Sequence, residues 1–190
     1  MYQRVTENYV KSIVLIGPYG IGKTTIGQLL ASDLGKAIFS LDEYAWKYYK
    51  EKGLSLEAAE SLGDLDSLQW QPYYAHAVRR FIEDHKDEMC IIDLGVGHSL
   101  YEDTYLEEMR NVFMPYNVIL LTPSPDIDIA MKELNERNDA NICKRTHSHT
   151  RLNLSFLKNP SIYQLAKHVI YTKGKTPTEI LREILKIDLE

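Results

Sequence analysis

Lys11-Ser-Ile-Val-Leu-Ile-Gly-Pro-Tyr-Gly-Ile-Gly-Lys-Thr-Thr25 carries two signals in immediate succession. Ile13 to Ile16 is an unbroken apolar run, the pattern of a strand buried on both faces. The run stops at Gly17, and Gly17 to Thr24 fits G-x-x-x-x-G-K-[ST], the phosphate-binding loop. Ile26, Leu29, Leu30 and Leu34 then recur on one side of a helix. A strand before the loop and a helix after it form the context that the motif needs. Glycines let successive backbone N–H groups turn inward around phosphate oxygens, and the new helix aims the positive end of its dipole at the same anion. The expected nucleotide contacts are therefore Gly17, Tyr19, Gly20, Ile21, Gly22, Lys23, Thr24 and Thr25. Lys23 reaches the terminal phosphates, and Thr24 offers a hydroxyl to magnesium.

Working outward, strands and helices alternate along the chain. Ala37 to Ser40 reads as a second strand, Met89 to Asp93 as a third, Asn117 to Thr122 as a fourth and His168 to Thr172 as a fifth. Between them lie helical patterns. The long one is expected from about Asp66 to Lys86, with a kink or a late start at Pro72. Others run from Glu102 to Val112, Asp126 to Glu136 and Thr178 to Ile187, the last with Thr176 as cap and Pro177 at its first position. Ser55 caps a short helix. This order predicts an α/β fold: a P-loop NTPase with a five-stranded parallel sheet flanked by helices on both faces. Residues 1–190 are expected to form a single domain, with a mobile lid at about 137–150. Ligand should sit where the loops after residues 16, 40, 93 and 172 converge, at the carboxyl ends of the strands.

Composition narrows the partners. The 190 residues are 44% hydrophobic and carry 27 acidic and 22 basic side chains, a net charge of −5. An acidic balance disfavours general nucleic-acid binding. No uncharged apolar run approaches a membrane span, and residues 1–10 show no apolar core of the signal-peptide kind. Two cysteines, Cys90 in a strand-like run and Cys143 in a polar stretch, suggest a reducing cytoplasm and no disulfide framework. The expected partners are ATP and ADP with Mg2+ and a small hydroxylated molecule. No nucleic acid or membrane partner is expected, and the state is expected to be monomer or weak dimer.

The chain resembles the shikimate kinase family over about residues 11–185. The resemblance rests on Ile16 to Gly27, Leu34-Gly35, Phe39-Ser-Leu-Asp-Glu43, Leu94-Gly-Val-Gly97, Lys158-Asn-Pro-Ser-Ile-Tyr163 and Gly174 to Glu179, in that common order. It implies a small-molecule kinase in which Asp42 accepts the proton of the attacking hydroxyl. Gly95, Val96, Gly97, Gln71 and Lys158 then border the acceptor. It also implies a lid whose cations meet the nucleotide: Arg137 near adenine, and Lys144 or Arg145 on the transferring phosphoryl group. The departures are equally specific. Gln71 stands where the family's F-R-x-x-E segment has its substrate Arg, within Trp70-Gln-Pro-Tyr-Tyr74. Lys158 stands at a second Arg, Val96 at a loop glycine, and Ser40 at the first acid of a D-x-D pair. Lys does not reproduce the guanidinium fork, so the acceptor is expected to differ from shikimate.

Several positions carry two readings. Asp42 is either the base or the N-cap of the following helix. Asp93, which the resemblance does not place, either steadies the magnesium shell with Thr24 or is a strand-end turn residue. Tyr44, Trp46, Tyr48, Tyr49, Trp70, Tyr73 and Tyr74 either line a pocket for a ring-bearing acceptor or, the favoured reading, pack helices together. Cys143, His147 and His149 match no closed zinc pattern. The leading function is an ATP-dependent phosphotransferase acting on a hydroxyl. A nucleoside or nucleotide kinase and a nucleotide-binding switch without kinase activity are the alternatives.

Overall fold

The computed structural model describes residues 11–140 and 147–189. Five short strands form one parallel sheet: β1 (Ile13–Ile16), β2 (Ile38–Ser40), β3 (Ile91–Asp93), β4 (Asn117–Thr122) and β5 (His168–Tyr171), in the order β2-β3-β1-β4-β5. The helices are α1 (Lys23–Leu34), α2 (Leu41–Glu51), α3 (Leu56–Glu60), α4 (Gln71–Asp84), α5 (Asp103–Phe113), α6 (Ile127–Ala140), α7 (His147–Lys158), α8 (Ser161–Leu165) and α9 (Pro177–Ile184).

Parallel strands need crossovers, and crossovers are right-handed. From β1 the chain moves one way to β2; from β2 through β3, β4 and β5 it moves the other way. That reversal puts α1 on one face and α4, α5 and α8 on the opposite face. The chain then returns α9 to the first face, where it contacts α1. Both faces of β1, β3 and β4 are thereby covered, which is why these three strands are buried along their length. Phe81, Phe113 and Phe156 are fully buried on the helical side, and burying a side chain of this size stabilises by about 1.5–3 kcal/mol.

Three local features differ from the expected ones. The long helix is not among them: it takes the late start expected at Pro72, beginning at Gln71 with Pro72 in its first turn, where a missing N–H is harmless. A 3₁₀ turn at Leu68–Trp70 leads into it. No loop separates β2 from α2: Ser40 ends the strand and is itself the N-cap residue. Asp42 is therefore not the cap; it sits inside the first turn of α2. The helix before the expected lid continues past Glu136 to Ala140, and α7 begins at His147, so both flanks of 137–150 are helical. Gly97–Ser99, expected as loop, closes into a single 3₁₀ turn.

Strand register gathers the site. Asp93 is level with Leu15 on one side and with Ser40 on the other. The ends of β1, β2 and β3 thus lie side by side, and each passes directly into a stretch singled out above: Gly17 onward, Leu41-Asp42, and Leu94 onward.

Candidate functional site

The phosphate loop leaves β1 at Gly17 and re-enters regular structure at Lys23. Gly22, immediately before α1, has φ of 103°, a conformation that side chains rarely adopt. That turn is what places the first N–H groups of α1 toward the loop interior. The half-buried Lys23 folds over the loop, its Nζ donating to the carbonyls of Gly17 at 2.9 Å and Pro18 at 3.1 Å. Burial pushes the Lys23 ammonium pKa down, opposed by the neighbouring Asp93 and Asp42 carboxylates. The Thr24 hydroxyl donates to Asp93 Oδ2 at 2.6 Å. Asp93 is buried, and burial pushes its carboxyl pKa up against the opposing pull of Lys23 and Thr24. A lysine and a hydroxyl from α1 and a buried carboxylate from β3 thus meet at one point.

Asp42 faces the same point from α2. Its carboxylate lies directly over Gly95, where any Cβ would collide with it. His98 comes up beside it from the 3₁₀ turn, with Nδ1 3.4 Å from Asp42 Oδ1, and on its far side Nε2 is 2.6 Å from the Tyr49 hydroxyl. The polar contact from His98 is the main cause holding the Asp42 carboxyl below its ordinary range; partial burial opposes it and Lys23 adds to it. An ionised carboxylate only accepts, so the tautomer that suits this chain carries its proton on Nδ1 and accepts from Tyr49 at Nε2. Burial holds the Tyr49 phenol well above its ordinary pKa, in the protonated form that such a chain needs.

Two cavities open here, and one aromatic ring stands between them. The first, of about 340 Å³, is lined by Lys23, Asp42, Gly95, Val96 and Gly97 together with Trp46, Tyr49 and Tyr74. The second, of about 580 Å³, is lined by Gln71, Lys158, Glu102 and Ser155. Tyr74 and Leu65 border both. Tyr74 packs so closely on Gly97 that a Cβ there would fall 2.7 Å from the ring, and its hydroxyl donates to the Leu65 carbonyl at 3.0 Å. The structure therefore brings Lys23, Asp42 and the glycine loop together but leaves Gln71 and Lys158 on the other side of Tyr74. The Gln71 side chain is buried, and its Oε1 accepts from the Glu102 backbone N–H at 3.1 Å.

The aromatic residues divide in the same way. Tyr44 packs against Phe81 and His85, and Tyr48 donates to Asp84 at 2.9 Å; both act in packing, as favoured from sequence. Trp70 stacks on Tyr74 with centroids 5.5 Å apart, and Tyr73 meets Trp70 edge-on. Trp46, Tyr49 and Tyr74 do both jobs, since they pack on one another's neighbours and also wall the smaller cavity.

Arg137 projects from α6. It pairs with Glu133 at 3.1 Å and donates to the carbonyl of Ile21 at 3.4 Å and of Thr172 at 3.3 Å, tying the phosphate loop to the end of β5. Cys143, Lys144 and Arg145 lie outside the described residues. Two contributors were not singled out from sequence. Asn153 on α7 accepts from the Tyr19 N–H at 2.7 Å and donates to the Tyr19 carbonyl at 3.1 Å. His98 is the second. His149, weighed above against a zinc pattern, stacks on the Tyr19 ring at 4.0 Å. A signal for Asn153 was available: it interrupts the apolar stripe of Leu152, Phe156 and Leu157, and a polar residue in such a stripe is buried only with partners. Among the described residues no cluster of three His, Cys, Asp or Glu could hold a metal, and no helix is long and apolar enough to cross a membrane.

A parallel sheet in this order, with a G-x-x-x-x-G-K-T loop between β1 and α1 and a carboxylate at the end of β3, defines a P-loop NTPase fold. The family model described as AAA domain matches residues 12–155, and the chain belongs to that family. It is similar to the shikimate kinase of Persephonella marina, with 29% identity over 177 residues that span 93% of this chain and 98% of the relative. Among solved structures it is similar to the shikimate kinase of Acinetobacter baumannii in complex with shikimate. There the TM-score is 0.61 and the identity 18%, over 94% of this chain and 93% of the other. A gluconokinase from Sinorhizobium meliloti reaches a TM-score of 0.60 at 18% identity, over 96% and 93%. These two structures share the fold. The curated relative extends the likeness to shikimate kinases along 93% of the chain.

Proposed function

We propose that the protein transfers the γ-phosphoryl group of ATP to a hydroxyl of a small molecule, and that shikimate is not that molecule. The observation carrying this reading is the placement of Lys23 and Asp42 on one cavity wall, with Asp42 held ionised beside His98. The acceptor oxygen attacks the γ-phosphorus as the bridging P–O bond to ADP breaks. The acceptor proton passes to Asp42. Lys23 follows the charge that shifts onto the phosphate oxygens, where a fixed cation is worth most. The loop residues Gly17, Tyr19, Gly20, Ile21, Gly22 and Thr25 cradle the phosphates.

Thr24 and Asp93 present hard oxygen donors 2.6 Å apart at the loop, a set suited to Mg2+, which binds through one or two protein oxygens plus substrate phosphates. When bound, the ion neutralises charge between the β- and γ-phosphates. We assign the lid to residues 137–150 of one domain. Arg137 serves the adenine end of the nucleotide, and Arg145, or Lys144 next to it, enters the active site on closure. Gly95, Val96 and Gly97 border the acceptor. Gln71 and Lys158, expected to do so, border the larger cavity behind Tyr74.

The case against shikimate rests on Gln71, since losing a desolvated charge pair costs about 2–5 kcal/mol. A steady-state assay of ADP release with a set of hydroxylated acceptors, shikimate among them, tests the proposal. Acceptor-dependent release that collapses in Asp42→Asn is expected. Slow release indifferent to every acceptor, and to Asp42→Asn, would point instead to a nucleotide-binding switch. Efficient shikimate phosphorylation would overturn the exclusion of shikimate.

A further inference from the structure

The smaller cavity has an unusual wall for a site that handles a hydroxylated molecule. Among the described residues, the charged side chains lining it are Lys23 and Asp42. Lys23 is held on the carbonyls of the phosphate loop, and Asp42 would repel any acceptor carboxylate. The remaining surface is largely ring and hydrocarbon, contributed by Tyr19, Trp46, Tyr49, Tyr74, Val96 and Leu152, with the imidazoles of His98 and His149 beside them. Of the three phenols, two are already engaged, Tyr49 with His98 at 2.6 Å and Tyr74 with the Leu65 carbonyl at 3.0 Å. An acceptor therefore meets chiefly ring faces. Trp46 is 40% exposed, so its ring is free to be covered.

Tyr74 supplies the second half of the case. Its ring lies on Gly97, its hydroxyl is tied to Leu65, and Trp70 stacks behind it. Held at three points, it closes the cavity toward Lys158, the cation that borders the larger space. Among the described residues, a carboxylate on the acceptor thus finds on its own side of the wall no cation but Lys23, which the phosphate loop already holds. A desolvated anion without a partner is strongly disfavoured.

From this cavity we infer that the acceptor is an uncharged alcohol bearing a flat ring, stacked among Trp46, Tyr49 and Tyr74, and that Tyr74 determines this specificity by shutting out Lys158. The inference rests on the transferase reading above for the word acceptor, but not for the binding.

The test is calorimetric titration of the full chain, saturated with ADP and Mg2+, using uridine, inosine and benzyl alcohol as uncharged ring-bearing probes and shikimate and gluconate as carboxylates. At least one uncharged probe is expected to bind at least tenfold more tightly than either carboxylate. Trp46→Ala should weaken that probe by about 5- to 150-fold, the span of a lost ring-stacking contact. Tyr74→Ala should narrow the gap between the two probe classes. A fluorescent ADP analogue bound with unchanged affinity shows that each variant is folded. Carboxylates binding as well as the uncharged probes, or none of the uncharged probes binding, would overturn the inference. ADP release in the same samples separates the two readings. A probe that binds without stimulating release defeats the transferase reading alone. Release driven by a carboxylate upholds that reading and defeats this one.

Discussion

The phosphate side and the acceptor side of this site are built in opposite ways. The phosphate side is nearly continuous in sequence, from Gly17 to Thr25, and works mainly through backbone direction. Among its distant partners, Asp93 is brought in by strand register and Arg137 reaches the loop from α6. The acceptor side is assembled from α2, α4 and the turn after β3, and works through side chains leaning on one another: Asp42 on Gly95 and His98, His98 on Tyr49, Tyr74 on Gly97. A backbone-built site changes little when neighbouring side chains drift. A site built from side chains can be re-specified by exchanging one of them, as Tyr74 illustrates.

The sharpest way to break this contrast is Asp42→Asn. Turnover with a true acceptor should fall by about 10²- to 10⁴-fold, the usual worth of a general base. Nucleotide affinity, measured with a fluorescent analogue, should hold. A loss of nucleotide affinity would mean that the two sides are not separable. Lys23→Ala should do the converse damage, weakening nucleotide binding and lowering turnover by about 10²- to 10³-fold, as for other preorganised charge-stabilising donors. An unchanged, folded variant would remove the phosphate-loop assignment itself.

Asn153→Ala probes a contact between α7 and the loop. It strips both partners from Tyr19 and should lower stability by about 1–3 kcal/mol, read from denaturant midpoints. His98→Ala sharpens the acceptor side. The folded-state Asp42 pKa is depressed, so its stabilising contact is present above the unfolded pKa and is lost as pH falls through the folded one. Removing His98 should move the Asp42 carboxyl up toward the ordinary value of about 3.9, seen by carbon-detected NMR titration. No movement would leave His98 a packing residue.

The smallest expected effect has the opposite sign. Burial raises the Asp93 pKa, so its favourable contribution belongs to the protonated form and is lost as pH rises through the folded pKa. Asp93→Asn, which keeps an acceptor for Thr24, should leave the melting temperature unchanged or slightly higher at neutral pH while lowering magnesium-dependent turnover. A clear drop in melting temperature, larger at pH 7 than at pH 5, would show that the carboxylate is needed for the fold.

Legibility followed the same division. The strand, loop and helix from Ile13 to Leu34 could be read directly, because apolar period and glycine spacing are local. The five strands were legible for the same reason. Asp42 was visible as a candidate, but its second reading as a cap failed on a fact no local pattern holds: β2 runs into α2 without a loop, and Ser40 takes the capping position. The wall between Gln71 and the glycine loop was invisible, because it depends on where α4 sits above the turn after β3. Tyr74 is one of several aromatic residues until that packing is known. Asn153 escaped for a simpler reason: its partners are backbone atoms of Tyr19, 134 positions away.

That paired contact has a mechanical consequence. With the amide of Asn153 closed on both backbone polar groups of one residue, and His149 lying flat on the ring above, helix α7 and the crest of the phosphate loop are geared together. Any adjustment of the crest is transmitted to a helix that runs on to Lys158 at the far cavity. From His149 to Lys158 the lever is roughly 14 Å long, at 1.5 Å of rise per residue. The phosphate loop is thus one end of a beam, and the other end borders the space behind Tyr74.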